Sequence, residues 1–220
     1  MTEYANALLV VLLALDLYMV STSRLDACIR ASALQGIVLA ALPFVLVGVG
    51  AGSSASDVLH LGAIAAGTLL VKSVFIPWLL FRALRDLGST REFEPFVSLH
   101  LSQLVNGALC GAAFWIAAVL PWPTAGASTM ALGVGLATLF IGVYMTVNRR
   151  KTVSQVLGFL VIESALLVIG WTLLRQPSLI LEIGALLDVL VAVMVMGILA
   201  TRLEAASDGE QPVREVGDEP

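Results

Sequence analysis

Residues 152–174 read TVSQVLGFLVIESALLVIGWTLL, and residues 178–201 read SLILEIGALLDVLVAVMVMGILAT. A membrane-spanning helix takes about 20 predominantly apolar residues, and each run is that long. Neither alternates apolar with polar as a barrel strand would. Only Arg175, Gln176 and Pro177 separate them, so they are expected to pack as an antiparallel helical hairpin. Near its middle the first carries Glu163 and the second Asp188. These two runs decide the fold class, and the acids within them open the question of function.

Five more runs of the same kind lie upstream, at 5–22, 31–50, 58–81, 98–120 and 128–147. The expected fold is therefore all-α: a bundle of seven transmembrane helices over 1–203, followed by an acidic tail. Composition agrees. The 220 residues are 59% hydrophobic and 13% charged, where a soluble domain carries roughly 25% charged residues. That excludes a cytosolic enzyme. Twelve Lys+Arg against sixteen Asp+Glu give a net charge of −4; with no broad basic face, nucleic acid is excluded as a partner. The two cysteines, Cys28 and Cys110, are too few for a four-ligand zinc or iron–sulfur site, and no disulfide is expected between them. The first run has no basic start and is interrupted by Asp16, so it reads as a retained helix rather than a signal peptide.

Basic residues set the orientation. Arg24 and Arg30 follow the first run, Arg82, Arg85 and Arg91 the third, Arg149, Arg150 and Lys151 the fifth, and Arg202 and Arg214 the seventh. Ten of the twelve basic residues thus fall on one side. The N-terminus is expected outside and the C-terminus in the cytoplasm. The tail 204–220 is acidic and poor in apolar residues, and is expected to be disordered. The segment 82–97 mixes charged with apolar residues and suits either a short interfacial helix or a solvated loop.

Four runs carry an ionisable residue near the middle: Asp16, Lys72, Glu163 and Asp188. A charge at the bilayer centre costs about 2.5–3.5 kcal/mol on insertion scales, so such residues face one another, water or a partner, and mark an ion or proton path by default. Glu163 lies eleven residues before the end of its run and Asp188 ten after the start of the next. At about 1.5 Å per residue the two carboxyls sit at nearly one depth. Two acids placed so cannot both ionise easily, and such a pair can take up and release protons as a relay requires. An acid–lysine–acid series is then a switchable proton wire. Static readings stand beside it: Lys72 with Asp16 as an ion pair fixing helix packing, Asp16 facing a neighbouring subunit, or Glu163 and Asp188 pairing only structurally. His60 falls at the outer end of the third span and His100 at the inner end of the fourth, on opposite sides of the membrane, so they cannot share a haem. A retinal protein would need its lysine in the last helix. No cofactor is expected. His100 can connect the cytoplasm to the interior acids. Gly107 with Gly111, and Gly133 with Gly135, are small residues that let helices approach.

Residues 148–204 resemble the C-terminal half of the hydrogenase-4 component E (HyfE) family, through Arg149–Lys151, Gly158, Glu163, Leu181–Gly184, Asp188 and Arg202. That half, about 128–203, is similar in turn to the NuoK subunit of respiratory complex I and the small C subunit of Mrp-type antiporters. Lys72 with Pro77 extends the likeness more loosely. The spacing from Gly158 to Glu163 is three residues longer than in the NuoK type, Ser164 stands where Asn is expected, and Asp188 replaces a glutamate. The resemblance implies a non-catalytic, multi-pass subunit of an oxidoreductase complex in a bacterial or archaeal plasma membrane. Its partners would be antiporter-like subunits and the subunit that anchors a soluble redox arm. Glu163 and Asp188 would take the places of the family's two carboxylates in transfer of H⁺ or Na⁺, with Lys72, Asp16 and His100 contributing. A stand-alone secondary transporter and a passive assembly scaffold are the alternatives.

The orientation is open to direct test. A reporter fused after Arg202 should be cytoplasmic and one inserted near Ser54 external; the opposite pattern would invert the assignment.

Overall fold

The computed structural model describes residues 2–47, 55–86, 99–121, 128–149 and 152–173, together with Val193 and Gly197. The apolar runs form helices because nothing within them competes for backbone hydrogen bonds, and a bilayer offers no alternative partner. They are α1 (Thr2–Ser21), α2 (Leu25–Val47), α3 (Ala55–Thr68), a π-helical segment (Leu69–Phe75), α4 (Ile76–Asp86), α5 (Leu99–Val119), α6 (Thr129–Asn148) and α7 (Thr152–Leu173). The stretch α3–π–α4 runs end to end. Among the described residues six stretches, each 18–21 residues, are long and apolar enough to cross a membrane. At about 1.5 Å per residue they match a hydrocarbon core of about 30 Å. Tyr4, Val10, Leu34, Leu70, Leu104 and Trp115 are among many large apolar side chains left exposed. A water-soluble surface does not carry such a coat. The chain is a multi-pass helical membrane protein. The expected seventh span, with Asp188, and the acidic tail lie outside the described residues, apart from Val193 and Gly197, both helical.

Two boundaries differ from expectation. The second helix begins at Leu25 rather than 31, leaving only Thr22–Arg24 as the turn from α1. Residues 25–30 contain no helix breaker, so the span itself begins at Leu25 and carries Arg30 on its exposed surface. The third span continues as helix to Asp86. Leu79, Leu80 and Leu84 are buried there while Arg82 and Arg85 are exposed, so the amphipathic pattern at the start of 82–97 extends the span. Residues 87–98 lie outside the described residues.

The most extensive packing joins α6 to α7; α5 packs on α6 and α1 on α2. Glycines set the α6–α7 separation. A Cβ on Gly142 would stand 2.8 Å from the Ile162 backbone nitrogen, and one on Gly158 would stand 2.8 Å from that of Thr146. Gly133 is packed against Phe114 of α5 and Gly135 against Ile169 of α7. Gly107 and Gly111 behave otherwise than expected: nothing among the described residues lies within 4 Å of an added Cβ. Two apolar clusters fill the bundle. One gathers Met19, Leu25, Ile29, Leu80, Met145 and Leu157. The other gathers Leu9, Leu12, Leu42, Val134 and Val168. The buried polar residues Asp16, Gln35, Thr138 and Glu163 occur along α1, α2, α6 and α7 where one cluster gives way to the other.

Gly158→Val forces a branched side chain against the Thr146 backbone. Overpacking of this kind costs about 1–3 kcal/mol. Gly107→Ala meets no atom of the described residues and is expected to be neutral or stabilising by up to about 1 kcal/mol. Thermal unfolding in mild detergent separates the two; equal stability would contradict the close α6–α7 crossing.

Candidate functional site

Lys72 lies inside the π-helical segment, and the local sequence accounts for that geometry. Pro77 supplies no N–H, and its ring would clash with the carbonyl four residues back if the helix stayed α. Widening to π geometry relieves the clash. The Ile76 N–H bonds the Val71 carbonyl, five residues back. On the facing helix α2, Gly36 makes room: a Cβ there would lie 2.9 Å from Lys72 Cβ and 2.7 Å from Ser73 Oγ. Any larger residue would push the π segment away.

From this position the Lys72 ammonium reaches Glu163 of α7, with Nζ 2.9 Å from Oε1. The side chains are 5% and 2% exposed, respectively. Charges buried to that degree depend on partners within the protein, and these two hold each other in place. Ser164, beside Glu163, turns its hydroxyl back onto its own helix and donates to the Leu160 carbonyl at 2.8 Å. It takes no part in the pair through that bond.

Asp16 is fully buried. Gln35 Nε2 donates to its Oδ1 at 2.8 Å, and Thr138 Oγ1 donates to its Oδ2 at 2.7 Å. Gln35 and Gly36 are adjacent on α2, so one turn of that helix serves Asp16 on one side and approaches Lys72 on the other. Two expectations are corrected. The lysine's ion-pair partner is Glu163 rather than Asp16, because the π segment packs on the Gly36 face of α2 and α2 packs on α7, which leaves the long lysine side chain to reach across to Glu163. Asp16 does not face a neighbouring subunit, because α2 and α6 enclose it.

A second polar group sits where α1 and α6 end and α5 and α7 begin. Ser102 Oγ and Tyr144 Oη share a hydrogen bond of 2.7 Å, Asn148 Nδ2 donates to Ser102 Oγ at 3.3 Å, and Asn106 Nδ2 donates to the Ser102 carbonyl at 2.7 Å. Arg149 is buried and donates to the carbonyls of Met19 at 3.0 Å and Thr22 at 3.1 Å. It thereby satisfies the C-terminal end of α1, where a cation also meets the negative end of the helix dipole. Burial pulls this guanidinium below its ordinary value. His100 lies exposed at the opening of α5, and no hydrogen bond or ion pair joins it to Asp16 or Glu163. The structure does not bring it into the polar layer. Asp188 lies outside the described residues.

Gln35, Gly36 and Thr138 were missed by a reading that followed charge alone. The available signal was an amide and a hydroxyl inside apolar runs, which need partners there as much as ions do. Among the described residues no group of three or more His, Cys, Asp or Glu side chains is gathered for a metal ion. Cys28 and Cys110 are free thiols.

Fold and site define a polytopic membrane protein with a lysine–glutamate pair buried among its helices, beside a carboxyl held by neutral donors. No family model and no solved structure matches the chain. It is 33% identical over 180 residues to the uncharacterized protein Rv0085 of Mycobacterium tuberculosis, a match covering 81% of this chain and 79% of that protein. The chain belongs to the family of that protein.

Lys72→Met leaves the Glu163 carboxylate without its cation. Removing one partner of a buried pair costs about 3–5 kcal/mol, whereas replacing both by apolar groups is often neutral or stabilising. Lys72→Met and Glu163→Leu should each lower stability sharply, and the double variant should regain most of it. Unfolding in detergent, treated as a double-mutant cycle, measures the coupling; additive losses would mean that the pair is not formed.

Proposed function

We propose that this chain is a membrane subunit of a hydrogenase-4- or complex I-like oxidoreductase complex, and that it carries part of the path by which H⁺ or Na⁺ crosses the membrane. The observation that carries this reading is the Lys72–Glu163 pair, 2.9 Å apart and buried on helices that span the bilayer. A buried ion pair adds little stability over apolar packing and is better suited to a switch. While Lys72 faces Glu163, the carboxylate is favoured as the ion. When the ammonium withdraws, Glu163 binds a proton; when it returns, the proton is expelled. Asp16, held by Gln35 and Thr138, is a further acceptor, on α1. Asp188 is the corresponding acceptor that the family resemblance implies. Redox chemistry would occur on other subunits, and antiporter-like and arm-anchoring subunits would be the partners.

One observation favours the alternative of a stand-alone secondary transporter. Such proteins use helices interrupted at mid-membrane, and the third span leaves α geometry at Leu69–Phe75. Purification in mild detergent separates the two readings: co-purifying redox subunits support the complex, and a chain that transports alone supports the transporter.

Glu163→Gln alone is a poor test, because it strands the Lys72 ammonium as well as removing a titratable group. The better variant is Lys72→Met with Glu163→Leu, which keeps the layer neutral. Assembled complex with strongly reduced redox-driven proton translocation in membrane vesicles is expected. Full translocation by that assembled variant would reject a relay through this pair and leave a packing role.

A further inference from the structure

Away from the polar layer, a cleft of about 500 Å³ opens between α1 and α2, lined by Leu15, Tyr18, Arg24, Asp26, Ala27, Arg30, Ala31 and Leu34. That volume lies within the range of ligand clefts, about 300–1,000 Å³. One end of it is lined by Arg24, in the turn between the end of one span at Ser21 and the start of the next at Leu25. This is the level of lipid headgroups. Its walls run down the spans as apolar surface, with Tyr18 and Leu34 half-exposed towards the bilayer.

The charges differ in their partners. Arg24 forks onto Asp26, with Nε to Oδ1 at 3.3 Å and Nη2 to Oδ2 at 3.1 Å. Arg30 is exposed five residues beyond Leu25, and no acidic side chain among the described residues pairs with it. At about 1.5 Å per residue it stands roughly 8 Å below the start of the span. A guanidinium at that depth must reach back to the interface or draw an anion down to itself. The anion present at a bilayer surface in quantity is lipid phosphate.

We propose that this cleft binds one anionic phospholipid, its phosphate on Arg30 beneath the Arg24–Asp26 fork and its acyl chains along Leu15, Tyr18, Ala31 and Leu34. The three charged side chains sum to one positive charge, which complements a headgroup carrying one negative charge. A zwitterionic headgroup would instead bring a second cation beside Arg24.

The test uses the full-length chain in mild detergent, titrated with phosphatidylglycerol, phosphatidylcholine or inorganic phosphate and read by native mass spectrometry and thermal unfolding. One retained phosphatidylglycerol is expected, preferred over phosphatidylcholine by about fivefold, as one basic side chain's attraction for an anionic headgroup gives. Arg30→Gln should abolish the preference, and Arg85→Gln, on the exposed surface of α4, should keep it. Equal retention of both lipids by the unmodified chain overturns the proposal whether or not the variants fold. So does an undiminished preference in Arg30→Gln, or inorganic phosphate stabilising as well as the lipid, which would mark a plain anion site.

Discussion

The ammonium of Lys72 and the carboxylate of Glu163, 2.9 Å apart and shielded from water, constrain much of the bundle around them. Either ion alone would make its helix hard to place in a bilayer. Together they require the third span and α7 to meet at one depth and in one rotational setting. The glycines serve that meeting. Gly36 lets α2 lie against Lys72 itself, and Gly142 with Gly158 brings α6 onto the helix that carries Glu163. Asp16 imposes a similar demand through neutral donors, tying α1 to Gln35 of α2 and Thr138 of α6. Four helices and the π segment are thus held in register by polar contacts that apolar side chains alone would not specify.

Between helices in lipid, apolar contact gives no strong preference for one register over another, since lipid tails are as apolar as the side chains. The arrangement here assigns the two tasks to different residues. The clusters around Leu157 and Val134 supply close packing on either side, and the polar layer between them selects the alignment. Arg149 extends the same logic to the end of the bundle. It was counted among the basic residues that orient the chain, yet it is buried and bonded to the last carbonyls of α1. One side chain both marks a side of the membrane and closes a helix end.

Hydropathy made the six described spans legible, because a run such as 128–147 admits no other structure in a bilayer. It also located Asp16, Lys72 and Glu163 as interior residues, since each interrupts such a run. What it did not reveal was pairing. Charge counting offered Lys72 to Asp16 and set Glu163 against Asp188, because depth was estimated within one hairpin at a time and rotation about each helix was ignored. Rotation is fixed by Gly36 and Pro77, neither of which is charged. Pro77 entered the sequence reading beside Lys72 in the family resemblance; its effect is felt upstream, where the backbone widens around Lys72. The start of α2 was placed late for a different reason: Arg24, Asp26 and Arg30 resemble a loop in a hydropathy profile, although nothing in 25–30 prevents a helix.

The placement of the lysine within the π segment separates two meanings of a buried ion pair. A pair that only fixes packing gains nothing from irregular backbone, and a regular helix would hold it more firmly. A pair that must open and close needs one partner on backbone with an accessible second geometry, and π turns, with their longer hydrogen-bond rings, occur often at functional sites. Glu163 is on the regular α7, packed against α6 through the Gly142–Gly158 crossing. Lys72 is on the irregular segment, with Pro77 withholding an N–H just beyond it. On the proposed relay, this asymmetry would make the lysine the movable member and the carboxylate the fixed one. It also gives Gly36 a second use: with no side chain at that point, the π segment can shift along α2 without meeting a Cβ. Packing alone accounts for a glycine or a proline in a membrane helix; on the proposed relay, the two that lie next to Lys72 would also give that lysine room to move.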